Sequence, residues 1–299
     1  LNIALVSYAG RTSSQYAVAT VEDEDTLLER YLLGQGHQVT IEIWSDAAVN
    51  WQQYEAVVLK SPWDYFDRIA EFYAWLDSLE KLGVSLLNPT AVVRWNADKR
   101  YLLEMAEAGV SVVPTQWLAR GSSLNTADLF AALGAPERII IKPAVSGGAK
   151  NTFALTAAEA AAKSPELAEL LAEEDFLAQP FLPQIQTQGE WSLVYLGGTF
   201  SHSVLKTPKS GDFRVQHYLG GGIAALPAPA SVHQAADDTV RRFAAGCLYA
   251  RVDGVVVDGQ FLLMELELIE PFLYLATEPA SWARYEQALR TLAPLKGTH

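Results

Sequence analysis

Glu265 and Glu267 stand two apart in the apolar run Met264-Glu265-Leu266-Glu267-Leu268-Ile269-Glu270-Pro271, and the preceding run Tyr249-Ala250-Arg251-Val252-Asp253 adds a third acid beside an arginine. Residues i and i+2 of a strand share a face, so the two glutamates point together. Burying a carboxylate is costly unless it is paired or coordinates a cation. Mg²⁺ is held by a few carboxylates together with substrate phosphates, and this set suits that chemistry; pairing with Arg251, or an edge strand facing solvent, is the structural alternative. The turn at Asp258-Gly259 discriminates. Two turn residues would pair Val257 with Gln260 and leave Asp253 on the face opposite the glutamates, whereas three would pair Val257 with Phe261 and set Asp253 opposite Glu265. The expectation is the three-residue turn, with Asp253, Glu265 and Glu267 as metal ligands.

A second segment, Ile141-Lys142-Pro143-Ala144-Val145-Ser146-Gly147-Gly148-Ala149-Lys150, puts a lysine at a strand end and then a small-residue loop whose N–H groups can approach phosphate oxygens. It lacks the G-x-x-x-x-G-K-[ST] pattern, and a Gly-Gly pair also fits an ordinary turn. A third segment, Lys206-Thr207-Pro208-Lys209-Ser210-Gly211-Asp212-Phe213-Arg214 followed by Gly220-Gly221-Gly222, gathers cations in an acidic chain; pairing with surface acids is the plainer alternative. Together the loop, cations and acids suit phosphoryl transfer, where positioning and charge stabilisation supply most of the catalysis.

These segments need a scaffold. The chain has 299 residues, half of them hydrophobic, enough for two or three modest domains. A net charge of −13 argues against a general nucleic-acid surface, and one cysteine with five scattered histidines excludes a disulfide framework and zinc-ligand spacing. No stretch approaches the roughly 20 apolar residues of a spanning helix, and Leu1 to Val6 runs into a strand rather than a signal segment. The expected setting is a reducing cytoplasm, with neither membrane nor nucleic acid as partner.

Strands and helices alternate to about residue 90: strands at 2–7, 39–44 and 56–60, a helix with Thr26 and Glu29 at capping-box spacing, and a helix from Ile69 to Gly83. That pattern is a small open α/β domain with its crevice at the carboxyl ends of the strands, where Ser7, Ser61 to Tyr65 and the acids Asp23 to Asp25 would lie. The acids would meet a substrate amine there, or form a solvated helix N-terminus. Asn96 caps a helix over 97–108, and a unit with the strands 138–142 and 176–179 follows. After Pro180 come the hairpin 191–205, a helix over 233–248 and a last strand pair. Expected domains are 1–92, 93–180 and 181–299. Trp51, Trp75 and Trp191 read as packing residues.

The order of these motifs resembles the ATP-grasp superfamily, in its RimK-like and glutathione-synthetase-like branch, across most of the chain. Asn96-Ala97-Asp98-Lys99 and Ile141-Lys142-Pro143 are similar to its two ATP-contacting lysine segments, the second followed by the phosphate-covering loop with Ser146, Gly147 and Gly148. Gln179-Pro180-Phe181-Leu182 resembles the hinge facing adenine, with Met264 against the base and Glu190 at the ribose. Gly211-Asp212-Phe213-Arg214 is similar to the D-F-R element, Arg251-Val252-Asp253 to R-x-D, and Glu265-Leu266-Glu267 to E-x-N with Glu267 replacing the asparagine. The run Glu265 to Pro271 is similar to that of the branch containing the cycloserine-forming cyclase. Because Ile269-Glu270-Pro271 replaces the usual S-P-G, substrate contacts there do not carry over.

The resemblance implies an α/β (α+β) fold with a small N-terminal domain and a two-lobed ATP-grasp around the nucleotide. It implies a ligase using ATP and two Mg²⁺ ions, for which Mn²⁺ substitutes, to make an acyl phosphate from a small amino-acid-like acid and pass it to an amine or other nucleophile. Lys99, Lys142, Arg214 and Mg²⁺ would hold the phosphates, and Arg251 and Lys206 would stabilise the tetrahedral charge. A homodimer is compatible, with no interface legible. The alternatives are an ATP-binding regulatory module without turnover, and a phosphotransferase or cyclase.

Overall fold

Of the three strand segments at the start of the chain, which pair in parallel, 2–7 and 56–61 are nearly continuous apolar runs buried on both faces, whereas 38–43 alternates polar and apolar residues and is half exposed. In the computed structural model, which describes residues 1–10, 23–147, 150–208 and 222–293, these are β1 (Asn2–Ser7), β2 (Gln38–Ile43) and β3 (Ala56–Ser61), joined by the short β4 (Leu86–Leu87) in the order β2-β1-β3-β4. Helices α1 (Glu24–Gly34) and α2 (Ile69–Lys81) connect them. The expected capping box is replaced: α1 begins two residues before Thr26, because the Asp23 carboxylate accepts from Asp25 N and caps the helix itself. Glu24 and Asp25 thereby turn inward and are buried rather than solvated.

The helix expected over 97–108 is shortened to α4 (Tyr101–Glu107), and a separate helix, α3 (Thr90–Asn96), precedes it. Asn96 is not a cap. Its amide donates to Leu266 O at 2.7 Å and accepts from Leu268 N at 2.9 Å, and Asn88 similarly satisfies the backbone at Leu248, Tyr249 and Leu268. Lys99 lies in the break, where its backbone N–H reaches Ala144 O at 2.9 Å.

A second, antiparallel sheet follows, built from β5 (Gln116–Leu118), β6 (Arg138–Pro143), β7 (Phe153–Thr156) and β8 (Phe176–Pro180) in the order β5-β8-β6-β7. With α5 (Thr126–Ala132), α6 (Ala157–Ala162) and α7 (Ser164–Glu173) it encloses a core of its own, including Leu129, Ile139, Ile141 and Phe176.

After the short helix α8 (Gln184–Thr187), the last sheet runs β11-β10-β9-β12-β13, all antiparallel, from β9 (Glu190–Leu196), β10 (Thr199–Thr207), β11 (Gly222–Ala225), β12 (Tyr249–Val257) and β13 (Gln260–Glu267). Helix α9 (Ala230–Phe243) covers β12 and β13. Helix α10 (Ser281–Leu292), which the sequence reading missed, buries Tyr285, Ala288 and Leu289 in a core shared by Ile3, Leu5 and Leu28 of the first unit and Val194 and Tyr249 of the last.

The β12–β13 turn overturns one expectation while reaching the same end. Asp258 (φ 49°) and Gly259 (φ 81°) form a two-residue turn, and Val257 pairs with Gln260. Both left-handed positions suit the tight hairpin turn that matches strand twist. The register then shifts: Gly254 faces Leu263, the next pair is Asp253 with Glu265, and Met264 is the extra residue of a β-bulge. A bulge, not a longer turn, brings the acids onto one face. Gly254 permits it, because a Cβ there would lie 2.4 Å from Leu262 O and 2.4 Å from the Phe261 ring. On its far side Leu263 exchanges backbone hydrogen bonds with Ser111 and Val113, at 2.8 and 3.0 Å.

Candidate active site

Across the last sheet, ladder pairing sets ionised residues side by side. Lys206 on β10 pairs with Glu190 on β9, Ser192 on β9 with Asp253 on β12, Asp253 with Glu265 on β13, and Arg251 with Glu267. Arg251 Nε donates to both Asp253 oxygens at 3.0 and 3.1 Å, its Nη2 donates to Asp253 at 2.8 Å and to Glu267, and its Nη1 donates to Phe272 O at 2.8 Å. Ser192 Oγ donates to Asp253, and Lys206 Nζ donates to Glu190 and lies 3.4 Å from Asp253. The acid–base pair with Arg251, the structural alternative for these acids, is therefore formed, within the same patch as the remaining acids.

Two lysines reach this sheet from outside it. Lys142 Nζ, at the end of β6, donates to Glu265 at 2.7 Å. Lys99 Nζ donates to Ser146 O at 2.7 Å and contacts its hydroxyl at 3.2 Å, so both lysines bracket the start of the small-residue loop. That loop lies against the first unit: Gly147 has no room for a Cβ, which would sit 2.4 Å from the Phe66 ring, and Lys150 pairs with Asp67. Gly148 and Arg214 lie outside the described residues.

Charge is unevenly compensated. Burial works against ionisation of Asp253 and Glu265, but Arg251 and Lys206 outweigh it and hold Asp253 well below the usual carboxylate range, while Lys142 and Lys99 bring Glu265 to about 2. Burial, reinforced by Asp253 and Glu265, pushes Glu267 up to about 7 despite Arg251. Burial and Glu267 push Glu270 up to about 8. Burial also lowers Lys99 and raises Glu190, whereas Asp253 and Glu190 overcome burial to hold Lys206 firmly protonated.

Among the described residues no three His, Cys, Asp or Glu side chains form a metal cage by themselves. The donor set nevertheless fits a small hard cation: Glu265 and Glu267 are oxygen donors on one face, and the acids left under-compensated gain from added positive charge. Such a cation would draw its remaining ligands from phosphate, as Mg²⁺ does.

Of the residues expected at a nucleotide base, Met264 and Leu182 meet with Ile185, Val255 and Val257 in one small apolar cluster. Met264 is there because it is the bulged residue. Gln179 is buried and donates to Thr115 Oγ1 at 3.0 Å, and Phe181 N donates to Arg138 O at 2.9 Å, both beside Pro180 at the end of β8. Tyr65, at the end of the 61–65 stretch expected at the crevice, bonds through its hydroxyl to Glu270, and one further group has no counterpart in the sequence expectations: Tyr274, left-handed at φ 53°, whose ring lies 5.7 Å from the Arg251 guanidinium. A non-glycine left-handed residue in an apolar segment carries no local signal.

A family model described as the N-terminal domain of D-cycloserine synthetase DcsG matches residues 3–88. The cycloserine biosynthesis protein DcsG of Streptomyces lavendulae is 32% identical over 273 residues, which is 84% of this chain and 88% of that protein. Among solved structures, that of D-cycloserine synthetase DcsG matches with a TM-score of 0.85 and 28% identity over 98% of this chain and all of that one. A RimK domain ATP-grasp protein from Sphaerobacter thermophilus matches with a TM-score of 0.67 at 18% identity, over 95% and 97% of the two chains, a likeness of fold.

Proposed function

The chain belongs to the ATP-grasp ligase family that includes D-cycloserine synthetase, and from that premise we propose that it uses Mg²⁺-ATP to activate the carboxylate of a small amino-acid-like substrate for C–N bond formation within the same molecule. One observation carries the reading: Lys142, Lys206 and Arg251, from separate parts of the chain, converge on Asp253, Glu265, Glu267 and Glu190, and the charge of Lys99 acts on Glu265. So dense a set of interlocked ions on one sheet face, with Glu190, Lys206, Arg251 and Asp253 buried, suits a site more than isolated structural ion pairs.

In this reading Lys142, Lys99 and the N–H groups around Ser146 and Gly147 would hold the ATP phosphates, and Glu265 and Glu267 would hold Mg²⁺, which would supply positive charge to the phosphates. Met264, Leu182 and the backbone around Gln179 to Phe181 form the base site, with Glu190 near the ribose. A substrate carboxylate oxygen attacks the γ-phosphorus, ADP leaves, and the acyl phosphate forms. An internal nitrogen then attacks the acyl carbon, loses its proton and expels phosphate, while Arg251 stabilises the tetrahedral oxyanion. Lys206 holds Asp253 and Glu190 in place. The domains proposed to support this are 1–92, 93–180 and 181–299.

D-cycloserine, the product in the relative's name, is a cyclic hydroxamate, so its ring-closing bond joins an aminooxy nitrogen to an acyl carbon. The test follows from that chemistry: the protein is incubated with Mg²⁺-ATP and D-β-aminooxyalanine, the open-chain form of the ring. ADP, phosphate and D-cycloserine appear in equal amounts if the proposal holds. Phosphate release only on adding a second amine would favour intermolecular ligation, and ATP binding without turnover across a panel of such acids would favour a regulatory module.

A further inference from the structure

One buried carboxylate in the first unit is spent on the backbone of the last. Glu24, 3% exposed at the first position of α1, accepts from Leu273 N at 2.8 Å through Oε1 and from Leu275 N at 3.0 Å through Oε2. Lys60, equally buried at the end of β3, donates to Glu24 Oε1 at 2.7 Å and lies 3.5 Å from Asp25. The two N–H groups flank Tyr274, held left-handed at φ 53°, a conformation that is strained for a residue with a side chain and persists only where its surroundings enforce it.

The same short segment touches the reacting centre. Phe272 O accepts from Arg251 Nη1 at 2.8 Å, the Tyr274 ring lies 5.7 Å from the Arg251 guanidinium, and Tyr274 feels the charges of Lys206, Arg251, Asp253 and Glu267. Leu273 O accepts from His202 Nε2 at 2.9 Å. Glu24 thus clamps, across 249 positions of sequence, a segment whose carbonyl and ring fix one side of Arg251.

We propose that Glu24 is a positioning residue: through the Leu273 and Leu275 amides it holds the 272–275 segment so that Phe272 O and Tyr274 orient Arg251 toward the reacting acyl group. The proposal rests on the acyl-activation reading above. It makes the first unit a working part of the reacting centre, because the crevice end of α1 and β3 supplies both the clamp and its counter-ion. The neighbouring Asp25 accepts from Ser61 and lies beside the same Lys60.

Glu24→Asp tests it with charge retained. Shortening the side chain by one carbon–carbon bond, about 1.5 Å, keeps a carboxylate for Lys60 but withdraws it from the two N–H groups. A misplacement of about 1 Å at a reacting centre costs on the order of 10²-fold in rate. The expected result is a fall of that order in kcat for phosphate release from ATP with D-β-aminooxyalanine, and an unchanged KM for ATP. In a Tyr274→Ala background the same substitution has little further effect, since both act through one segment. A role confined to stability would lower the melting temperature and leave kcat alone at temperatures where both proteins are folded; that result, or additive losses in the double variant, overturns the proposal. Amide hydrogen exchange at Leu273 and Leu275 separates this from failure of the reaction itself. If wild-type protein does not turn over, the acyl-activation reading falls and the orientation role with it; exchange faster in Glu24→Asp then upholds only the clamp, while unchanged exchange refutes the clamp even in an active enzyme.

Discussion

Gly254→Ala probes the bulge that sets the site's register. A Cβ at this position would stand 2.4 Å from Leu262 O and 2.4 and 2.6 Å from two carbons of the Phe261 ring. The ring can swing aside, but the carbonyl belongs to the paired strand, so relief requires moving β13 relative to β12. Overpacking of this kind costs about 1–3 kcal/mol, and a clash with backbone belongs at the upper end. At about 2–4 °C per kcal/mol for a large domain, a cost near 3 kcal/mol lowers the melting temperature by about 6–12 °C. The functional loss should be larger in proportion. Asp253 faces Glu265 only because Met264 is bulged out immediately beyond Gly254, so a shifted bulge separates the Arg251–Asp253 pair from Glu265 and removes Met264 from its apolar cluster. Differential scanning calorimetry with and without Mg²⁺-ATP measures both effects: a lower melting temperature, and a much smaller stabilisation by nucleotide than in wild type. A variant with wild-type melting and wild-type nucleotide stabilisation would refute the claim that this glycine fixes the register.

Lys206→Met keeps the apolar stem and removes the cation that Glu190 and Asp253 share, leaving buried acids under-compensated; denaturant unfolding should show a loss of about 3–5 kcal/mol, and a loss within the range of a surface pair, about 1 kcal/mol or less, would contradict the buried network. His202 is held neutral below its usual pKa by burial, with Nε2 donating to Leu273 O despite Glu24 and Glu278 nearby. A depressed folded pKa means the unfolded chain takes up the proton first, so His202 contributes stability above about pH 6.5 that is lost as pH falls below it; His202→Asn should flatten that acid limb of the stability–pH curve. Cys247 is buried, and burial pushes its thiol up to about 12, so a thiol reagent at pH 8 should label it only after unfolding.

The ionised residues of the candidate site stand out in the sequence because they break the pattern of their strands. Acids in the apolar runs around 253 and 265, and a lysine closing the run at 142, are costly there without compensation, and the structure supplies the compensation as cross-strand and cross-unit pairs. What the sequence concealed was whatever depends on partners far along the chain. The two-residue turn was readable from Asp258-Gly259, but the bulge that reverses its consequence depends on Gly254 and on the Ser111–Val113 segment bonding Leu263. Asn96 has the chemistry of a helix cap and is instead consumed by β13, which lies 170 residues away. The acids Glu24 and Asp25 read as contacts for a substrate amine or as a solvated helix start, because nothing local announces Lys60, Ser61 and the Leu273 amide as their partners.

We propose that Glu265 and Lys142, 2.7 Å apart, form the metal and phosphate side of one nucleotide site. Calorimetric titration of ATP into wild type, Lys142→Ala and Glu265→Gln, each with and without Mg²⁺, tests it directly. Binding to wild type that is strengthened by Mg²⁺, with the Mg²⁺ effect lost in Glu265→Gln and affinity lost in Lys142→Ala, is the predicted result; equal Mg²⁺-independent binding by all three proteins, or none by wild type, would contradict it.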